Sequence, residues 1–160
     1  MKRTSTVFLQ VVIALIGVCV FGLMIWEPLL EGVNTHATLW QVYFTDPFLA
    51  YAYVGSIAFF VALYQAFKLM GYVGRGNVFS PQAVKALRII KYAALSLIGF
   101  IIGGEIFLFL TRSASDDPAG GVMMGLFMSF IAGIIATAAA VFESTLQSAI
   151  DKKSENDLTV

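Results

Sequence analysis

The sequence predicts an all-α membrane protein: one integral domain, 1–160, with four transmembrane helices, both termini cytoplasmic and the third helix extended into the cytoplasm. Three observations predict it. Hydrophobic residues make up 59% of the 160 and charged residues 12%, more apolar surface than a water-soluble chain of this length could bury. Four apolar stretches, 6–26, 47–69, 92–110 and 120–142, each approach or exceed the roughly 20 residues that cross a bilayer as a helix. Nine of the ten basic residues then fall on one side: Lys2, Arg3, Lys68, Arg75, Lys85, Arg88, Lys91, Lys152 and Lys153. Arg112 falls on the other, and the richer side is the cytoplasmic one.

The first span follows Lys2 and Arg3, as a signal peptide would. Its apolar run is too long for one and no small-residue cleavage site follows, so an uncleaved helix is expected. Cys19 lies mid-membrane as a small hydrophobe, and Trp26 suits the interface. The loop 27–46 carries Glu27, Glu31, His36 and Asp46 in a spacing that matches no metal-ligand motif. Aromatic residues crowd the second span, and its outer tyrosines suit an interfacial belt.

The third helix is the element the rest is arranged around. Ser80 is a good N-cap, Pro81 fits the first helical position, and no proline interrupts the chain from there to Leu110. About thirty residues give roughly 45 Å of helix, so the part within the loop 70–91, with Lys85, Arg88 and Lys91, should stand clear of the bilayer. Gly99 and Gly103 lie in GxxxG spacing on the same helix. On the fourth helix Gly121, Gly125, Ser129 and Gly133 recur every four residues, a spacing that lets helix backbones approach closely in lipid. The fourth helix should therefore be the most enclosed, and a leucine at Gly125 or Gly133 should force it away from its neighbours. A second copy of the chain is a possible neighbour. The tail 143–160 is polar; the fourth helix should run a few turns into it and stop before SENDLTV.

Glu105 is the one acid inside a span. An intramembrane carboxylate is costly and usually faces a partner or a cavity. Arg112, seven residues on, shares its helical face, and Tyr53, Ser56 or Ser129 are alternative donors at similar depth. Glu105 either fixes helix packing or handles a proton, cation or ligand.

The segment GNVFSPQAVKALRIIKYAA and the ending AIDKKSENDLTV resemble an uncharacterised family of small bacterial four-helix membrane proteins, the domain of unknown function twenty-nine seventy-five. The resemblance implies a multi-pass bacterial inner-membrane protein without an established activity. Family members are often encoded beside a short helix-turn-helix regulator, which implies a cytoplasmic partner. The family has no catalytic residues to carry over.

The zero net charge argues against direct nucleic-acid binding, and a single cysteine excludes an internal disulfide or a multi-cysteine metal site. No HExxH or GxSxG motif is present, so neither an enzyme nor a bound cofactor is expected. Two readings remain. In the first, an interaction or regulatory protein docks a cytoplasmic partner through Phe79, Ser80, Lys85 and Arg88 of the loop and Glu155, Asn156, Asp157 and Leu158 of the tail. In the second, an oligomeric transporter or ion pathway uses Glu105.

Overall fold

A computed structural model describes residues 3–26, 38, 40, 47–111 and 119–158. Among these the regular elements are helices: α1 (Arg3–Trp26), α2 (Pro47–Gly74), α3 (Pro81–Thr111) and α4 (Ala119–Leu158). Each is long and apolar enough to cross a membrane, and the chain is a multi-pass membrane protein. The helices pack mainly in chain order, α1 on α2, α2 on α3 and α3 on α4.

The turn between α2 and α3 is set by local chemistry. Gly76 has φ 75°, the left-handed conformation that a residue without Cβ adopts at no steric cost. The Asn77 N–H then donates to Tyr72 O at 2.9 Å and the Gly76 N–H to Val73 O at 3.2 Å. This pair of bonds is a Schellman stop, satisfying carbonyls that the ending helix would leave bare. Ser80 starts α3 as its spacing predicts: the Ala83 N–H donates to Ser80 Oγ at 3.3 Å, and Pro81 occupies the first turn.

Small residues and reaching polar groups join the helices. At the α1–α2 contact the buried Thr6 fills the space beside Gly74, its Oγ1 2.7 Å from where a β-carbon there would sit. Gln10 Nε2 donates to Phe67 O at 3.1 Å and the Tyr53 hydroxyl to Met24 O at 2.7 Å. At the α2–α3 contact Gly55 lies against the Phe100 ring, and the Tyr51 hydroxyl donates to Phe100 O at 2.9 Å. Gly103 makes that bond possible, because a β-carbon there would occupy the position of the Tyr51 hydroxyl. Tyr51 and Tyr53 thus tie helices together, where the sequence suggests interfacial belt residues.

Between α3 and α4 the buried residues Gly125, Ala132, Ala136, Ala139 and Glu143 fall at alternating seven-, four- and three-residue steps. That alternation is the pattern of a helix packed along its length against a neighbour. Leu87, Ile90 and Ala139 form the best-buried cluster of this seam, with Ala66, Leu69 and Leu146 packed around it.

Several expectations are corrected here. The most enclosed helix is α3, with eight buried residues, because it sits between α2 and α4. Helix α4 lies at the edge and turns Met123, Leu126, Phe127, Phe130, Ile134 and Val141 outward, where lipid covers them. The small-residue stripe also divides: a β-carbon at Gly125 would strike Glu105, whereas one at Gly99, Gly121 or Gly133 would meet nothing within 4 Å among the described residues. Small size is required at Gly103 and Gly125 and is not required by any described neighbour at the other three. Helix α4 also continues through SENDL to Leu158, where an earlier stop is expected from its polarity. Cys19 points outward from α1 rather than into protein.

Candidate functional site

The best-formed polar site lies at the basic end of the α3–α4 seam. On α3, Arg88 and Lys91 are one turn apart, so their side chains leave the helix on neighbouring lines. Between them, from α4, comes Glu143. Arg88 Nε donates to Glu143 Oε1 and Lys91 Nζ to Glu143 Oε2, each at 2.7 Å. The Glu143 side chain is 11% exposed, Lys91 23% and Arg88 55%. One carboxylate therefore holds two cations from a single helix, and the pairing fixes the height of α4 against α3.

These three residues lie just beyond the spans expected from the sequence. The hydrogen bond from Lys91, and then that from Arg88, hold the Glu143 carboxyl below its ordinary value. The Glu143 carboxylate in turn raises Arg88, first through the hydrogen bond and then through its charge. Lys91 also sits over the Tyr92 ring, 4.9 Å from its centre. Beside the triad runs an open groove of about 300 Å³, lined on α4 by Ala140, Ser144, Gln147 and Ser148.

Glu143 was not legible as a site residue, since it is the first polar residue after an apolar run and reads as the start of the tail. The available signal is the seam period. The steps Ala132, Ala136, Ala139 lead to position 143, which places the acid in the contact with α3.

A second site lies nearer the other end of the seam. The Glu105 carboxyl stands over Gly125, with Cδ 2.9 Å from the point a β-carbon at 125 would take. The two border a cavity of about 320 Å³ whose other walls include Ile102, Ile106, Phe109 and Leu126, with Ser129 beside them. The structure brings Ser129 and Glu105 into one cavity. It turns Tyr53 to Met24 O on α1, and it gives the Ser56 hydroxyl to Tyr53 O within α2 at 2.7 Å. Arg112 lies outside the described residues, as do Glu27, Glu31, His36 and Asp46.

Of the proposed docking residues, Phe79 is 67% exposed and Lys85 is exposed. Ser80 is occupied as the N-cap and Arg88 by Glu143. Glu155 and Asn156 are exposed on the last turns of α4, and the backbones of Asp157 and Leu158 complete that helix. Asp151 accepts a hydrogen bond from Gln147 at 2.9 Å on its own helix.

The comparisons with known proteins agree with a membrane protein. Residues 36–160 match the model of the family described as "Protein of unknown function (DUF2975)". The chain is 40% identical, over 162 aligned residues covering all of both chains, to a Bacillus subtilis (strain 168) protein named "Uncharacterized membrane protein YoaS". No solved structure matches. The α2–α4 unit that holds both sites lies within the matched region, and the chain belongs to the DUF2975 family of membrane proteins of unknown function.

Proposed function

We propose that this is an interaction protein of the bacterial inner membrane, with both termini cytoplasmic, that offers a soluble regulator a helical hairpin at the inner surface. The hairpin consists of the first third of α3 and the last third of α4. One observation carries the reading: α4 is an unbroken helix of 40 residues. At 1.5 Å per residue it is roughly 60 Å long, about twice the hydrocarbon core of a bilayer. Glu143, held by Arg88 and Lys91, anchors its emerging part to α3. An exposed aromatic, Phe79, stands in the turn just before α3, and the hairpin carries an exposed cation, Lys85, and exposed polar residues Glu155 and Asn156 on the far turns. Such a surface suits a protein partner, and the family resemblance suggests a short helix-turn-helix regulator. Catalysis has no place in this reading.

The test is co-purification of such a regulator with the full-length membrane protein. Capture should fall with Phe79→Ser and with Lys85→Glu while melting in detergent stays unchanged. Equal capture by wild type and both variants would sink the reading.

The cavity at Glu105 supports a second reading, an oligomeric transporter or ion pathway. There Glu105→Gln would abolish flux in proteoliposomes with the fold intact, and an unchanged flux would remove it.

A further inference from the structure

The two cavities lie on the same side of the α3–α4 seam. On α3 the positions Arg88, Leu95, Gly99, Ile102 and Ile106 follow one another in steps of seven, four, three and four, so they share a helical face. On α4 the positions Leu126, Ser129, Gly133, Thr137, Ala140 and Ser144 advance by three or four and do the same. Ile102, Ile106, Leu126 and Ser129 line the cavity at Glu105, and Arg88, Ala140 and Ser144 line the polar groove. Leu95, Gly99, Gly133 and Thr137 therefore bridge the two along one continuous furrow. Its floor is low because Gly99 and Gly133 lack side chains, and no described residue lies within 4 Å of either missing β-carbon. This accounts for small residues that no neighbouring helix requires.

The furrow begins at charge and continues into hydrocarbon. At its head Glu143 neutralises one of two cations, leaving a net positive charge beside the serine hydroxyl of Ser144. The guanidinium of Arg88 has five N–H donors, and Glu143 takes the one on Nε. Arg88 is more than half exposed, so a ligand reaches it without unfolding the triad. From Arg88 to Gly99 is roughly 16 Å of helix, about the depth of one leaflet. An anionic phospholipid matches this sequence of environments, with phosphate at the head and one acyl chain along the small-residue floor. Basic pockets between transmembrane helices take such headgroups, and the expected orientation puts this one in the cytoplasmic leaflet, where anionic lipids concentrate.

We propose that the α3–α4 furrow is a binding site for an anionic phospholipid, whose phosphate meets Arg88 and Lys91 as set by Glu143 and whose acyl chain lies over Gly133 and Gly99. Glu143 is a positioning residue, holding the two cations at the membrane boundary in a fixed spacing. The rest of the α4 surface takes bulk lipid without a headgroup contact.

The experiment uses the full-length protein in detergent micelles, titrated with fluorescent phosphatidylglycerol, with phosphatidylcholine and inorganic phosphate as separate arms. Phosphatidylglycerol should bind more tightly than phosphatidylcholine. Arg88→Gln should weaken it about fivefold, the usual effect of one basic residue at an anionic surface. Gly133→Leu should weaken it as well, by filling the acyl path, while lipid-free melting stays at the wild-type value. That variant keeps the test decisive if Arg88→Gln lowers stability. Equal binding of the two lipids overturns the proposal. So does wild-type lipid affinity in Gly133→Leu. Displacement of the labelled lipid by millimolar inorganic phosphate, with Gly133→Leu indistinguishable from wild type, would make the groove a site for soluble phosphate instead.

Discussion

Glu105 and Gly125 share one position between α3 and α4: the carboxyl of the first stands where a β-carbon of the second would be. An acid and a glycine on different helices are thus a fitted pair. Gly125→Ala should lower stability in the wild-type background and have little effect in Glu105→Ala. A double-mutant cycle in detergent melting measures this, with a coupling of about 0.5–3 kcal/mol expected for groups in contact. Additive losses would mean that the two do not touch.

The glycines of α4 should separate sharply. Gly125→Leu overpacks the seam and should cost about 1–3 kcal/mol. Gly133→Leu enters open space on the lipid side and should leave the melting temperature of the lipid-free protein within error. Equal losses in both variants would contradict the seam described here.

At the other end of the seam, acid should loosen α4 from α3. A carboxyl whose pKa is lower folded than unfolded binds protons more weakly in the native state, so its stabilisation is present above the unfolded value and lost on acidification. For Glu143 the unfolded value is about 4.3. The wild type should lose stability as pH falls through and below that point, and Glu143→Gln, weaker at pH 7, should lose less on the same change. Arg88 adds nothing to the slope, because its raised pKa keeps it protonated throughout. Parallel pH profiles for the two proteins would exclude the ion triad.

Tyr51→Phe removes a hydroxyl that bonds across α2 and α3. Interhelical bonds of this kind in membranes contribute about 0.6 kcal/mol, so a small fall in stability is expected. Gly103→Ala should cost more, since its methyl would meet the Tyr51 hydroxyl, and Tyr51→Phe should relieve part of that loss. Failure of the second change to rescue the first would separate the two residues.

Orientation is tested by labelling. Cysteines replacing Thr35 and Ser115 in the Cys19→Ala background should react from outside the cell, and those replacing Asn77 and Ser154 only after permeabilisation. External reaction at Asn77 would invert the arrangement.

The sequence carries the number of helices plainly, because crossing hydrocarbon demands about twenty apolar residues whatever the neighbours are. It also carries the start of α3, because Ser80 and Pro81 act locally. Contacts between helices were less legible. In lipid both the outward and the inward faces are apolar, so the contrast that marks the buried side of a soluble helix is missing. Gly125 and Gly133 look alike in such a sequence, and only the register of α4 against α3 tells the fitted glycine from the open one. Glu143 was hidden for a related reason: polarity marks it as a tail residue, while its position in the seam gives it two partners.

Helix α1 meets the bundle chiefly through α2, and of its described residues only Thr6 is buried. The family match begins at residue 36, after that helix. The segment made first is thus an attachment to an assembly that the later three helices complete among themselves. Synthesised as a separate peptide, α1 should find its place again beside Gly74 and Phe67, and a split protein of this kind would reconstitute across the α1–α2 boundary far more readily than across α3 and α4.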